Sequence, residues 1–158
     1  MKNLSSSPAP VPVHLIPFDR LDTDTLYRIL KLRAEVFVVE QNCVYLDPDD
    51  LDRHSVHALI EDGNRLASYA RIIRPLRPEE PVRIGRVVTA PPYRRRGLAR
   101  RLMHEVLAYI GRQWPGRPVE ISAQTYLVPF YESLGFRILG EEYLEDGIPH
   151  IRMIYTKN

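Results

Sequence analysis

A mixed α/β domain built around one sheet is what the sequence predicts, on three observations. Two strand-like runs flank Asp62-Gly63-Asn64, strand, helix and strand alternate from Val82 to Ala123, and a last strand pair turns through Asp146 and Gly147. A chain of 158 residues lies in the one-domain range and can bury roughly 68–70% of its unfolded surface without a metal or disulfide staple. Residues 13–158 therefore read as a single domain. Residues 1–12, rich in Ser, Pro and Ala, read as a disordered N-terminal segment without the apolar run of a signal peptide.

The elements follow in order. Val11 to Phe18 has strand composition, and Pro12 and Pro17 assign it to a sheet edge. From Thr23, the residues Leu26, Ile29, Leu30, Leu32, Val36 and Phe37 recur at helical spacing behind Asp22, a ready N-cap, which predicts one long helix. Ser55–Glu61 and Arg65–Arg74 form the hairpin around Gly63. Prolines 75, 78 and 81 punctuate a polar connection before Val82–Thr89, a Val- and Ile-rich strand that Pro91 and Pro92 stop. Leu98, Leu102, Met103, Val106, Leu107 and Ile110 make an amphipathic helix, and Val119–Ala123 a short strand after it. A short helix, Val128–Leu134, ends at Gly135, and two strands, Arg137–Leu144 and His150–Tyr155, complete the sheet.

Net charge is only +2, so the molecule as a whole is no polyanion binder, but its charge is uneven. Asp47, Asp49, Asp50 and Asp52 form an acidic run near His54 and His57. The run lacks calcium or zinc spacing, so it reads as a solvated loop, and no metal is expected. His14 and His104 have no visible partner and receive no role. Cys43 is the sole cysteine; with no span long enough for a membrane, the chain reads as cytoplasmic.

The basic counterpart, Arg94, Arg95, Arg96, Arg100 and Arg101, straddles a helix start. Cations are mildly repelled there, because a helix N-terminus carries about half a positive charge. A bound anion removes the conflict: free N–H groups at the helix start grip phosphate oxygens, Gly97 and Ala99 let the backbone approach, and arginines add charge-assisted bonds. By itself the segment also suits a solvated basic helix end or a nucleic-acid patch.

The stretch from Val87 to Ala99 resembles the acetyl-CoA motif of the GNAT N-acetyltransferase superfamily, whose core is Arg or Gln, two residues, Gly, one residue, then Gly or Ala; Arg94, Gly97 and Ala99 match it. Phe130-Tyr131-Glu132-Ser133-Leu134-Gly135-Phe136 resembles that superfamily's Tyr-Glu-x-x-Gly-Phe ending. Three further segments are similar to its ElaA-type branch: Leu32 to Cys43, Ile84 to Val87, and Glu145 to Ile151. There are two departures: Arg95 stands where Gly is frequent, and Gln124 where Asn is common.

The resemblance implies a mostly antiparallel sheet with flanking helices and a splayed parallel pair, Val82–Thr89 with Val119–Ala123, that admits the pantetheine arm of acetyl-CoA. It implies cofactor contacts along Val87, Val88 and Thr89, around the turn at Arg94, Arg95, Arg96, Gly97, Leu98 and Ala99, and at Gln124. A backbone N–H near Val88 would polarise the thioester carbonyl, an effect of about 3–4 kcal/mol per donor. Tyr131 matches the general acid that protonates the leaving thiolate. The acceptor must attack as a neutral amine, and deprotonating an alkylamine at pH 7 costs roughly 4–5 kcal/mol. Glu40, Glu120, His57 and His150 are the candidate bases; Glu40 and His150 lie in segments similar to the ElaA-type branch. The implied partner is an unidentified amine, small-molecule or peptide, with no membrane and a homodimer as the ordinary assembly. A CoA-binding sensor without turnover and a nucleic-acid-binding module using the Arg94–Arg101 cluster are the alternatives.

Overall fold

The computed structural model describes residues 10–157, so residues 1–9 of the expected N-terminal segment lie outside it. Eight strands form one sheet: β1 His14–Pro17, β2 Ser55–Asp62, β3 Arg65–Ile73, β4 Val82–Thr89, β5 Val119–Gln124, β6 Arg137–Ile138, β7 Tyr143–Glu145 and β8 Ile148–Tyr155. The order is β1-β2-β3-β4-β5-β8-β6, with β7 also on β8, and only β4 and β5 run parallel. The expected last-but-one strand, Arg137–Leu144, is thus broken into β6 and β7, which pair with opposite ends of β8.

Three helices pack on the sheet: α1 Thr23–Arg33, α2 Leu98–Gln113 and α3 Val128–Ser133. Asp22 caps α1, its side chain accepting from the Thr25 N–H at 2.7 Å. The long first helix of the sequence reading does not continue as one α-helix. From Ala34 to Glu40 the chain widens to a π-helix, with the Gln41 and Cys43 N–H groups reaching back five residues to Val36 and Val38. That widening keeps the apolar stripe through Val36 while turning Glu40 and Gln41 towards β4 and β5.

Alternation along the strands divides the core. On β3, Ala70 and Ile72 are buried, and α2 packs over β2, β3 and β4. The opposite face carries Tyr69 and Arg71, and α1 brings Arg33 over the Tyr69 ring at 5.9 Å. Beyond β3 this second face is left open, which is where a ligand can lie.

The acidic run is not a solvated loop. Asp47 and Asp52 are 3% and 6% exposed, folded under the end of α1 by a short turn, Asp50–His54. Arg33, fully buried, donates to Asp47 at 2.7 Å and to both Asp52 oxygens at 2.7 and 3.2 Å. Arg71 takes both Asp49 oxygens at 2.6 and 2.9 Å and Asp52 at 2.8 Å, while Arg86 donates to Asp47 at 2.9 Å. Burial opposes ionisation of Asp49 and Asp52, but the arginine bonds outweigh it and hold both carboxyls below the usual range. His57 belongs to this structural layer rather than to a site. It is fully buried, its Nε2 donates to the Asp52 carbonyl at 3.0 Å, and its Nδ1 accepts from the Tyr69 hydroxyl at 2.7 Å. Burial lowers its pKa, so it is held neutral.

Candidate active site

Strands β4 and β5 pair only through Val82–Val119, Arg83–Glu120 and Ile84–Ile121. Past that point β4 stays with β3 and β5 stays with β8 out to Gln124–His150, so the two parallel strands part like a V. A bulge drives the separation: between Tyr69–Val88 and Arg71–Gly85, two steps on β3 face three on β4, and Arg86 adopts φ 53. The Ala90 N–H bonds to Ala67 of β3, so the backbone groups of Val88 turn to β3 while those of Val87 and Thr89 face the gap left by β5, the alternation an extended ligand needs in order to pair as a strand.

At the mouth of the V, the turn Arg94–Gly97 leads into α2. Arg95 has φ 65 and Gly97 φ 75, and no side chain caps the helix. Left-handed residues in such a turn bring successive N–H groups to one concave side. Among the described residues, no backbone or side-chain acceptor takes the N–H groups from Arg95 to Arg100. The turn therefore presents a run of free donors at the positive end of a 16-residue helix. Space around Gly97 is open. The arginine side chains spread away from the turn: Arg96 lies over Tyr93 and Arg100 over Phe130, each at 5.5 Å, and Arg101 pairs with Glu105.

Arg94 is the exception. It forks onto both oxygens of Glu40 at 2.6 and 2.8 Å and also donates to the Thr89 carbonyl. The Arg94 bond holds the Glu40 carboxyl below its usual range, which makes Glu40 a poor proton acceptor. The next residue, Gln41, exchanges amide hydrogen bonds with Gln124 at 3.2 and 3.4 Å across the V. The end of the π-helix thus straps both expected cofactor contacts, Arg94 and Gln124.

Under this strap the open face of the sheet forms a cavity of about 450 Å³, a size suited to a small ligand. Tyr131, His150, Glu120 and Gln124 line it; Glu40 and His57 do not. Tyr131 is 4% exposed, and burial, with Tyr126 nearby, pushes its hydroxyl pKa up, so the hydroxyl holds its proton. Glu120 is tied to Arg152 by two bonds of 2.8 and 3.1 Å. His150 donates from Nδ1 to the Ile148 carbonyl at 2.7 Å, which leaves the Nε2 lone pair free, 3.5 Å from Glu145.

Several lining groups escaped the sequence reading as site residues, among them Cys43, Arg83, Arg86, Ser122, Tyr143 and Glu145. Ser122, Tyr143 and Glu145 form one cluster, with Ser122 bonded to both others. Period-2 alternation from Glu120 would have put Ser122 and Gln124 on one face, but only the fold shows that Tyr143 and Glu145 of β7 reach across β8 to Ser122. Among the described residues no group of His, Cys, Asp and Glu comes together as a metal site.

The model of an acetyltransferase (GNAT) domain matches residues 35–157. Protein ElaA of Escherichia coli K12 is 44% identical over 135 residues, 84% of this chain and 88% of that protein. The crystal structure of Escherichia coli ElaA covers 91% of this chain and 98% of its own, with a TM-score of 0.87 at 39% identity. An acyl-CoA N-acyltransferase from Pseudomonas aeruginosa covers 92% and 99%, with a TM-score of 0.86, also at 39% identity.

Proposed function

This chain belongs to the acetyltransferase (GNAT) family, in its ElaA-like branch, and we propose that it is an acetyl-CoA-dependent N-acetyltransferase acting on a primary amine by direct attack in a ternary complex. The observation that carries this reading is the run of unpaired N–H groups from Arg95 to Arg100, set at the mouth of the V between β4 and β5. A pyrophosphate on the turn and a pantetheine arm along Val87, Val88 and Thr89 would use both features at once. Arg94, Arg95 and Arg96 supply positive charge, Leu98 and Ala99 the first helical N–H groups, and Gln124 an amide partner for the arm.

In the proposed chemistry the amine nitrogen attacks the thioester carbon, and a backbone N–H near Val88 that faces the gap stabilises the oxyanion. The N–C bond forms and the C–S bond breaks. The proton lost by nitrogen goes to His150 Nε2, and the departing sulfur takes the proton of Tyr131. Tyr131 suits that role because burial keeps its hydroxyl protonated. His150 is preferred to Glu40 because its lone pair is free and faces the cavity, whereas Glu40 is committed to Arg94. Glu40 is assigned to positioning Arg94. The single buried thiol, Cys43, suits the cytoplasm as the compartment.

Calorimetric titration with acetyl-CoA, CoA and dephospho-CoA tests the cofactor half directly. Micromolar binding that Arg94→Ala and Gly97→Glu both weaken is expected. No binding of any CoA species would remove the acyltransferase reading. Single-turnover transfer then tests the chemistry: Tyr131→Phe and His150→Asn should each slow it by 10²–10⁴-fold with acetyl-CoA affinity unchanged.

A further inference from the structure

Most of the charges lining the cavity are matched, and the exceptions lie at its two ends. Arg71 and Arg86 are spent on Asp47, Asp49 and Asp52, and Arg152 takes both Glu120 oxygens. Arg83, which stands directly opposite Glu120 in the β4–β5 register, makes no ion pair or hydrogen bond among the described residues. It is a cation facing the cavity whose natural neighbour is already occupied. At the other end, among the described residues, Glu145 and Asp146 lack any Lys or Arg partner, and Glu145 has Ser122 at 3.3 Å and His150 at 3.5 Å.

We propose that the amine acceptor also carries a carboxylate, which Arg83 binds while the amine lies between Glu145 and His150. This rests on the acyltransferase reading and names the substrate class of its site. Arginine suits the task because its planar fork accepts a carboxylate in two parallel bonds. The spacing follows from the sheet. Ser122, beside Glu145, lies one strand over and two residues along from Arg83. At about 4.8 Å between paired strands and 3.3 Å per residue, the Cα atoms of Arg83 and Ser122 are roughly 8 Å apart or somewhat more, since β5 veers from β4 beyond Ile84–Ile121. Gly85, which follows Arg83 on that face, adds no side chain of its own, and the Arg71 guanidinium lies within van der Waals range of it. An ω-amino acid or a dipeptide spans this distance; a diamine of the same length would set an ammonium against Arg83.

The test compares 6-aminohexanoate with pentylamine and cadaverine, titrated calorimetrically into the full chain saturated with CoA, so that the readout does not depend on turnover. The carboxylate-bearing amine should bind at least tenfold more tightly than pentylamine, and cadaverine should be weakest. Arg83→Met should remove the preference and leave pentylamine affinity within twofold. Arg152→Met, which releases Glu120 to pair with Arg83, should reduce the preference in the same direction. Equal affinities for 6-aminohexanoate and pentylamine, or a preference that survives Arg83→Met, would overturn the proposal even if acetyl transfer to some other amine is found. Failure of the acyltransferase reading itself appears separately, as absence of CoA binding in the first step.

Discussion

Arg33, Arg71 and Arg86 are locked to carboxylates in or beside the core, whereas the arginines from Arg94 to Arg101 stand at the surface around a helix start. In the first group three guanidiniums meet three aspartates, Asp47, Asp49 and Asp52, and close most of their hydrogen bonds inside the protein. In the second group only Arg94 and Arg101 reach a carboxylate, and Arg95 has no partner among the described residues. The same side chain fixes structure where its charge is compensated internally, and where it is not, as at Arg95, it is left for the proposed ligand. The wall built by the first group carries Arg86 and Asp49 into the cavity on the open face, so its rigidity also sets the shape of that cavity.

The largest effect expected from this contrast is at Arg33. Removing one partner of a buried charge network leaves uncompensated charges, a loss of about 3–5 kcal/mol. Arg33→Met should show that loss in urea unfolding, and a change below about 1 kcal/mol would mean that the network relaxes or hydrates freely. Acid should attack the same layer in two stages. His57 is held below its ordinary pKa, so the unfolded chain binds the extra proton and stability falls as pH drops below about 6.5. Asp49 and Asp52 have depressed folded values; their contribution is complete above the unfolded value of about 3.9 and is lost as pH falls through the folded ones. His57→Gln should abolish the first stage only. A stability curve flat from pH 7 to 5 in the unaltered protein would contradict this assignment.

The two regions also differ in how far the sequence betrays them. The turn at Arg94–Gly97 is legible because its parts are contiguous: arginines, a glycine and a helix start within one short stretch. The sheet is legible for a similar reason, as period-2 runs and turn residues are local signals, and the parallel pair followed from strand-helix-strand order. The buried network was misread as solvated because its partners are distant. Arg33 lies on α1, Arg71 on β3 and Arg86 on β4, and no local pattern ties them to Asp47–Asp52. The π-helix was missed because Leu32, Val36 and Phe37 satisfy helical spacing at either pitch. Glu145 and Ser122 became site residues only when β7 folded back along β8.

At the surface region, smaller and more selective effects are expected. Gly97 has φ 75 with open space around it, so Gly97→Ala meets no neighbour and should cost only the left-handed penalty of about 1–2 kcal/mol. Because relief of that strain would rotate the free N–H groups, its acetyl-CoA affinity should fall by more than its stability. Equal changes would make the turn a structural feature alone.

Arg95→Gln should do least to the fold, within about 0.5 kcal/mol, since its exposed guanidinium makes no hydrogen bond, ion pair or cation–π contact among the described residues. Its effect should be on acetyl-CoA affinity, several-fold at low salt and shrinking as ionic strength rises, because an exposed charge acting on a phosphate is screened within a Debye length of about 10 Å at 0.1 M salt. A loss of affinity unchanged between 0.05 and 0.5 M salt would instead mean that Arg95 matters through its left-handed backbone, and the distinction between compensated and recruiting arginines would then hold for Arg94 and Arg96 but not for Arg95.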